Sequence, residues 1–236
     1  EVEAINLLLQ DSVRFTIATR KLTEKEVAYF NSKKFFPREE KIATDGLAII
    51  VNRSNPDSLL SVSDLSKVLT GEITRWNQIN KGSRLGEIKF VFDNPNSSTV
   101  RYAIDSLCGG KPLYSGLFAL GTNQAVIDYV TQEPAAMGII GVSWIGNESD
   151  TTRLSFSDRV RVLAISREEK ATPANSYKPY QAYLALNRYP LTRDVYILLN
   201  DPRVGLTSGF SRFVVSDKGQ RIILKTGTVP ATQALR

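Results

Sequence analysis

Histidine is absent from all 236 residues of this chain. That single absence removes histidine general acids and bases, histidine-activated nucleophiles and histidine-ligated metals together. Cysteine is nearly absent: Cys108 stands alone, so an internal disulfide is excluded. Its place before Gly109-Gly110 reads as a small buried hydrophobe at a helix end. No run approaches the roughly 18 consecutive apolar residues of a membrane span, and the first residues carry no signal-peptide pattern. Internal repeats and low-complexity linkers are also missing, so any second lobe is joined by strands and not by a floppy tether. Lysine and arginine are scattered instead of clustered, which argues against nucleic acid as a partner.

What is present is the composition of a globular protein with a real core, 42% hydrophobic and 23% charged. The length suits one large domain or two lobes of ordinary size. A net charge of +6 and a pI near 9.4 suit an anion-binding protein without requiring one.

Patterning along the chain alternates helices and strands. Val2, Ile5, Leu8 and Leu9 share one helical face. Val13–Ala18 alternates as a strand, and Thr23 with Glu26 has capping-box spacing for a helix running to about Lys33. Lys41–Ala43 and Gly46–Val51 read as a strand pair or one long strand broken near Asp45-Gly46. Ser63 is expected to cap a helix over 63–70, with Gly71 to Trp76 as its exit. Thr122 caps a further helix, and Met137–Gly141 is a short buried strand. Arg161–Ile165, Tyr183–Leu186 and Val195–Leu199 read as strands, and Ser208 to Gly227 as one amphipathic helix, most breakable at Ser216–Gly219. Trp76 and Trp144 read as packing residues. Such alternation predicts an α/β architecture with largely parallel sheets.

The stretch with the most chemical content is Asp93-Asn-Pro-Asn-Ser-Ser-Thr-Val-Arg-Tyr102. It joins the strand-like run Ile88–Phe92 to helical spacing at Val100, Ala103, Ile104 and Leu107. Ser97, Ser98 and Thr99 thus fall at a helix start, where free N–H groups and the helix dipole favour an anion. The alternative is that Ser97 or Ser98 simply caps the helix, as serine does in many helices.

Several motifs together carry a resemblance. Asp45-Gly-Leu-Ala-Ile-Ile-Val-Asn52-Arg-Ser-Asn55-Pro56, Leu65-Ser-Lys-Val-Leu-Thr-Gly71-Glu-Ile-Thr-Arg-Trp76, Glu133-Pro-Ala-Ala-Met-Gly138-Ile-Ile-Gly141, Tyr189-Pro-Leu-Thr-Arg193-Asp-Val-Tyr196 and Ser216-Asp-Lys-Gly219 occur in one order over nearly the whole chain. In that order they resemble the phosphate-binding subunit of bacterial phosphate ABC transporters, of the type II periplasmic-binding-protein-like group. The resemblance implies a two-lobed α/β fold, mostly parallel sheets flanked by helices, joined by two hinge strands. It places residues 1–48 with 188–236 in one lobe and 49–187 in the other. It implies an extracytoplasmic protein, anchored or exported by a segment upstream of residue 1, that hands phosphate or a related oxyanion to a membrane permease. Neither cofactor nor metal is implied. Ser97, Ser98 and Thr99 match the family's phosphate turn, Asp45 its cleft aspartate and Thr19 its second hydroxyl. Arg20, next to Thr19, is a candidate guanidinium fork for phosphate. A carboxylate at Asp45 can accept the proton of hydrogen phosphate, which fully ionised sulfate lacks.

Two departures stand out. The family's arginine before the phosphate turn falls at Asp93, and the middle glycine of the turn is Ser98. The chain also starts after the family's first strand and helix, which is expected to expose sheet edges and apolar helix faces. These departures keep open a second reading, a sensor or surface module with altered or lost ligand binding. An enzyme built on Asp45 and Asp93 as a carboxylate pair is the least supported reading, given no histidine, no nucleophile motif and no metal-ligand cluster.

Overall fold

A computed structural model describes residues 1–146, 155–201 and 205–232. Among them the elements run α1 (Val2–Leu9), β1 (Phe15–Ala18), α2 (Glu24–Ser32), β2 (Arg38–Val51), β3 (Leu59–Ser61), α3 (Val62–Thr70), α4 (Trp76–Ile79) and β4 (Lys89–Phe92). They continue with α5 (Ser98–Tyr102), β5 (Phe118–Ala119), α6 (Asn123–Gln132), β6 (Ala136–Gly141), β7 (Arg161–Val162), β8 (Ala164–Ser166) and β9 (Ser176–Tyr177). The last are α7 (Gln181–Ala185), β10 (Thr192–Leu199), α8 (Leu206–Val215), α9 (Asp217–Lys225) and β11 (Val229–Pro230). Two compact units result: residues 1–45 with 193–236, and residues 46–192.

In the first unit β1 pairs antiparallel with β10, Phe15 opposite Leu199 and Ala18 opposite Tyr196. β10 lies beside β2, whose Thr44 pairs with Val229 of β11. Side chains alternate across a strand, so β10 serves two cores at once. Leu198 packs with Ile5 and Leu8 of α1 and Phe30 of α2. Its neighbours Ile197 and Leu199 pack with Ile42, Ala43 and, from α8 and α9, Val214, Val215 and Ile223. Glu26 and Thr23 close the predicted capping box at the start of α2.

In the second unit the far end of β2 pairs antiparallel with β6, from Leu47 opposite Gly141 to Val51 opposite Met137, and also with β7. β4 runs parallel to both β6 and β5. A smaller sheet sets β8 between β3 and β9. β6 is buried throughout, and α6 lies so close to it that a Cβ on Gly138 would meet Val126 at 2.9 Å. Glycine is what lets helix and strand approach there. The buried residues of this layer include Ile50, Val91, Val126, Val130, Ile140 and Val162.

The α/β class holds, but the expectation of mostly parallel sheets is corrected. Pairings β1–β10, β2–β6, β2–β7, β2–β11 and β8–β9 are antiparallel, against parallel β3–β8, β4–β5 and β4–β6. Alternating helices and strands reveal connections but not the direction in which each strand returns. β2 is one unbroken strand of 14 residues through Asp45-Gly46. The cap of α3 is Ser61, not Ser63: its side chain accepts from the amide of Asp64. Tyr183–Ala185 is helical and Leu186 caps the helix where Tyr183–Leu186 was expected as a strand, since a short apolar run has no readable period. Trp76 opens a one-turn helix instead of ending one, and it is buried as expected, donating Nε1–H to the Ala135 carbonyl at 2.9 Å. Trp144, read as a packing residue, is 53% exposed. The expected break at Ser216 is real, for it ends α8 and caps α9. Cys108 is buried as read, and burial raises its thiol pKa.

Candidate functional site

The central stretch folds as its residues dictate. β4 is a buried strand between parallel partners, and the chain leaves its carboxyl end through an Asx turn. There Asn94 Oδ1 accepts from the Asn96 amide at 3.1 Å and the Asn94 carbonyl accepts from the Ser97 amide at 3.1 Å. Ser97 then stands in the extended conformation (φ −74°, ψ 157°) and its Oγ accepts from the Val100 amide at 3.1 Å. Ser97 is therefore the helix N-cap, one of the two readings left open above. That role uses a lone pair and leaves the hydroxyl proton free to donate, so capping and ligand binding are compatible.

Val100 and Tyr102 anchor the helix in the core, and it continues as a π-turn over Ala103–Leu107. Such turns widen a helix locally and recur at functional sites. Thr99 is only 4% exposed. Ser98 is half-buried beside it. The three hydroxyls thus gather at one helix start in the second unit.

Asp93, at the foot of the same turn, is 7% exposed. Its carbonyl accepts from the Gly121 amide at 2.6 Å, while its Oδ1 is buried without a hydrogen-bond partner among the described residues.

Thr19, Arg20 and Asp45 belong to the first unit. Thr19 follows β1 directly. Its amide and its Oγ1 both donate to Glu1 Oε1, at 2.5 and 2.9 Å. An amide and a hydroxyl converging on one carboxylate oxygen are the donors an oxyanion would use. Arg20 is engaged locally. It donates Nη1 and Nη2 to the two oxygens of Glu26 at 2.8 Å each, and Nη1 also to the Lys21 carbonyl at 2.8 Å. The guanidinium bonded to Glu26 outweighs burial and holds that carboxyl at about 2.

Asp45 is buried within β2 and receives Nε and Nη2 of Arg193 at 3.1 and 2.9 Å on the same oxygen, Oδ2. Arg193 is the partner of Asp45 that residue-by-residue reading missed. Its signal was indirect: a buried aspartate needs a compensating cation, and removing one member of such a pair costs about 3–5 kcal/mol. Beside it Asp194 is lowered: burial pushes its carboxyl up, but hydrogen bonds from Lys41 and Thr44 outweigh that. Among the described residues no group of histidine, cysteine and carboxylates could hold a metal ion.

The profile of the PBP superfamily domain matches residues 1–218. The phosphate-binding protein PstS of Staphylococcus aureus (strain USA300) is 24% identical over 213 residues, covering 88% of this chain and 61% of that protein. The chain therefore spans about three fifths of the length of the curated relatives it matches. Among solved structures, an ABC-type phosphate transport receptor of Vibrio cholerae is 25% identical with a TM-score of 0.73, over 97% of this chain and 84% of that one. A protein of Clostridium perfringens solved with bound phosphate is 20% identical with a TM-score of 0.77, again over 97% and 84%.

Proposed function

This chain belongs to the PBP superfamily, and from that we propose that it captures phosphate or a related oxyanion for an ABC importer and performs no chemistry of its own. The observation that carries the reading is the turn after β4. There a capping Ser97 with a free hydroxyl proton and the buried Thr99 stand at a helix start. Two relatives bearing phosphate in their names support the ligand class. In this reading Ser97, Ser98 and Thr99 donate to the anion from the second unit. Within the first unit, taken by itself, Thr19, Arg20 (paired with Glu26) and the Asp45–Arg193 pair are the candidate ligand residues. The protein works outside the cytoplasm with a membrane permease as partner; among the described residues no helix is long and apolar enough to cross a membrane.

Calorimetric titration of phosphate tests it. Binding at micromolar affinity or tighter is expected, with T99V and S97A each weakening it at least tenfold, as for a lost hydrogen bond to a charged ligand. Absence of any phosphate binding would sink the reading and favour the second one, a module of this fold with a changed ligand, for which Asp93 is the specific support.

A further inference from the structure

Lysine and arginine are scattered along the sequence, but the second unit gathers three of them. Arg53 lies just past the end of β2, Arg161 opens β7 and Lys178 follows β9. All three line one cavity of about 260 Å³, in which Asp158 is the one carboxylate among the described residues. Tyr180 and Phe156, with rings stacked at 4.8 Å, line it as well.

Little within the protein answers these charges. Arg53 Nη1 donates to the Asp158 main-chain carbonyl at 2.6 Å, while the Asp158 carboxylate is 3.7 Å away. Those two side chains are 64% and 89% exposed, so their attraction is weak. Arg161 Nη2 donates to the Arg53 carbonyl at 3.2 Å, a neutral acceptor. Each guanidinium has five N–H donors, so most of both forks is left without a protein acceptor among the described residues. Lys178 forms no ion pair among them either. Nearby Arg159 shows the contrast, held by Asp128 at 2.7 Å. The cavity is also remote from Ser97–Thr99 within its own sheet. Val51 faces both Arg161 and Met137, at the amino end of β6, whereas the turn follows the carboxyl end of β4, which runs parallel to β6.

Three cations against one exposed carboxylate call for several anionic groups on one molecule. Guanidinium forks match phosphate oxygens two at a time. Among small anions, a condensed phosphate packs the most charged oxygens into such a space. We propose that this cavity is a second anion site, taking a condensed phosphate, either a free chain or the triphosphate of a nucleotide. It goes beyond the reading of the turn after β4 and does not depend on it.

Calorimetric titration of inorganic tripolyphosphate, and separately of ATP, into the intact chain in magnesium-free buffer tests this, with and without orthophosphate. Wild type is expected to bind one equivalent at about 100 μM or tighter. Arg161→Gln and Lys178→Gln should each weaken binding at least tenfold, as for a lost charge-assisted hydrogen bond. Asp158→Asn removes a repelling charge and should tighten binding at least twofold, and so exposed a side chain leaves the fold intact. ATP binding more tightly than tripolyphosphate supports the site with a nucleotide as its ligand, the base lying against Tyr180. Equal or weaker ATP binding supports it with the free chain. The proposal is overturned if wild type binds neither, if it binds several equivalents at once, or if the three variants match wild type. Full displacement by orthophosphate at the level that fills its own site also overturns it, since both anions would then share that site.

Discussion

Glu26 shows how much one carboxylate can do in a small space. It completes the capping box with Thr23 and accepts both nitrogens of the Arg20 fork, which holds its pKa at about 2 against an ordinary 4.5. A carboxyl depressed in the folded state stabilises above its unfolded pKa and loses that contribution as pH falls through the folded value. Thermal melts should therefore drop between about pH 4.5 and 2 more steeply in wild type than in Glu26→Gln, and the variant should melt lower at pH 7. Parallel curves would show that the pair carries no linkage. At this scale the sequence was readable where partners are near in the chain. Thr23 with Glu26 and the capping role of Ser97 follow from spacings of three residues. The Asp45–Arg193 pair did not follow, because its members are brought together across 148 positions by β2 and β10. The substitution at Asp93 was visible as a residue; its burial and its missing donor were not.

Elements were legible by period and illegible by direction. Helices with a polar cap and a clean apolar face were placed within a residue or two, whereas Tyr183–Leu186, four residues long, was assigned the wrong type. The final helical segment offers a paired test. Gly219 sits in the first turn of α9, where an added Cβ would lie 2.2 Å from the Phe213 carbonyl oxygen and 2.5 Å from that of Val214. Gly209, within α8, has open space around it. Gly219→Ala should destabilise by about 2–3 kcal/mol, since backbone must move. Gly209→Ala should stabilise by about 0.5–1 kcal/mol through helix propensity alone. Denaturant melts of the two variants read the contrast directly. Equal effects would mean that α8 and α9 are not locked together at Ser216.

For the whole molecule, charge and chain order matter more than any contact. With a net charge of +6, the field around the protein draws anions in, and salt screens it over about 10 Å at 0.1 M. Stopped-flow measurements should find phosphate association slowing by about 2- to 10-fold between 0.01 and 0.15 M salt, with dissociation nearly constant. A change confined to dissociation would place the salt effect in the bound contacts instead.

Chain order carries a different consequence. Residues 46–192 are one continuous stretch, whereas the first unit is written in two stretches on either side of it. Phe15 pairs with Leu199, 184 residues later. At about 5–20 residues per second of synthesis, β1 waits roughly 10–40 s for β10 to be made. During that interval Ile5, Leu8 and Phe30 lack the Leu198 side chain that joins them in the finished core. The growing chain thus carries a completed unit 46–192 behind an unfinished one, and any factor that shelters nascent protein would find its target in residues 1–45.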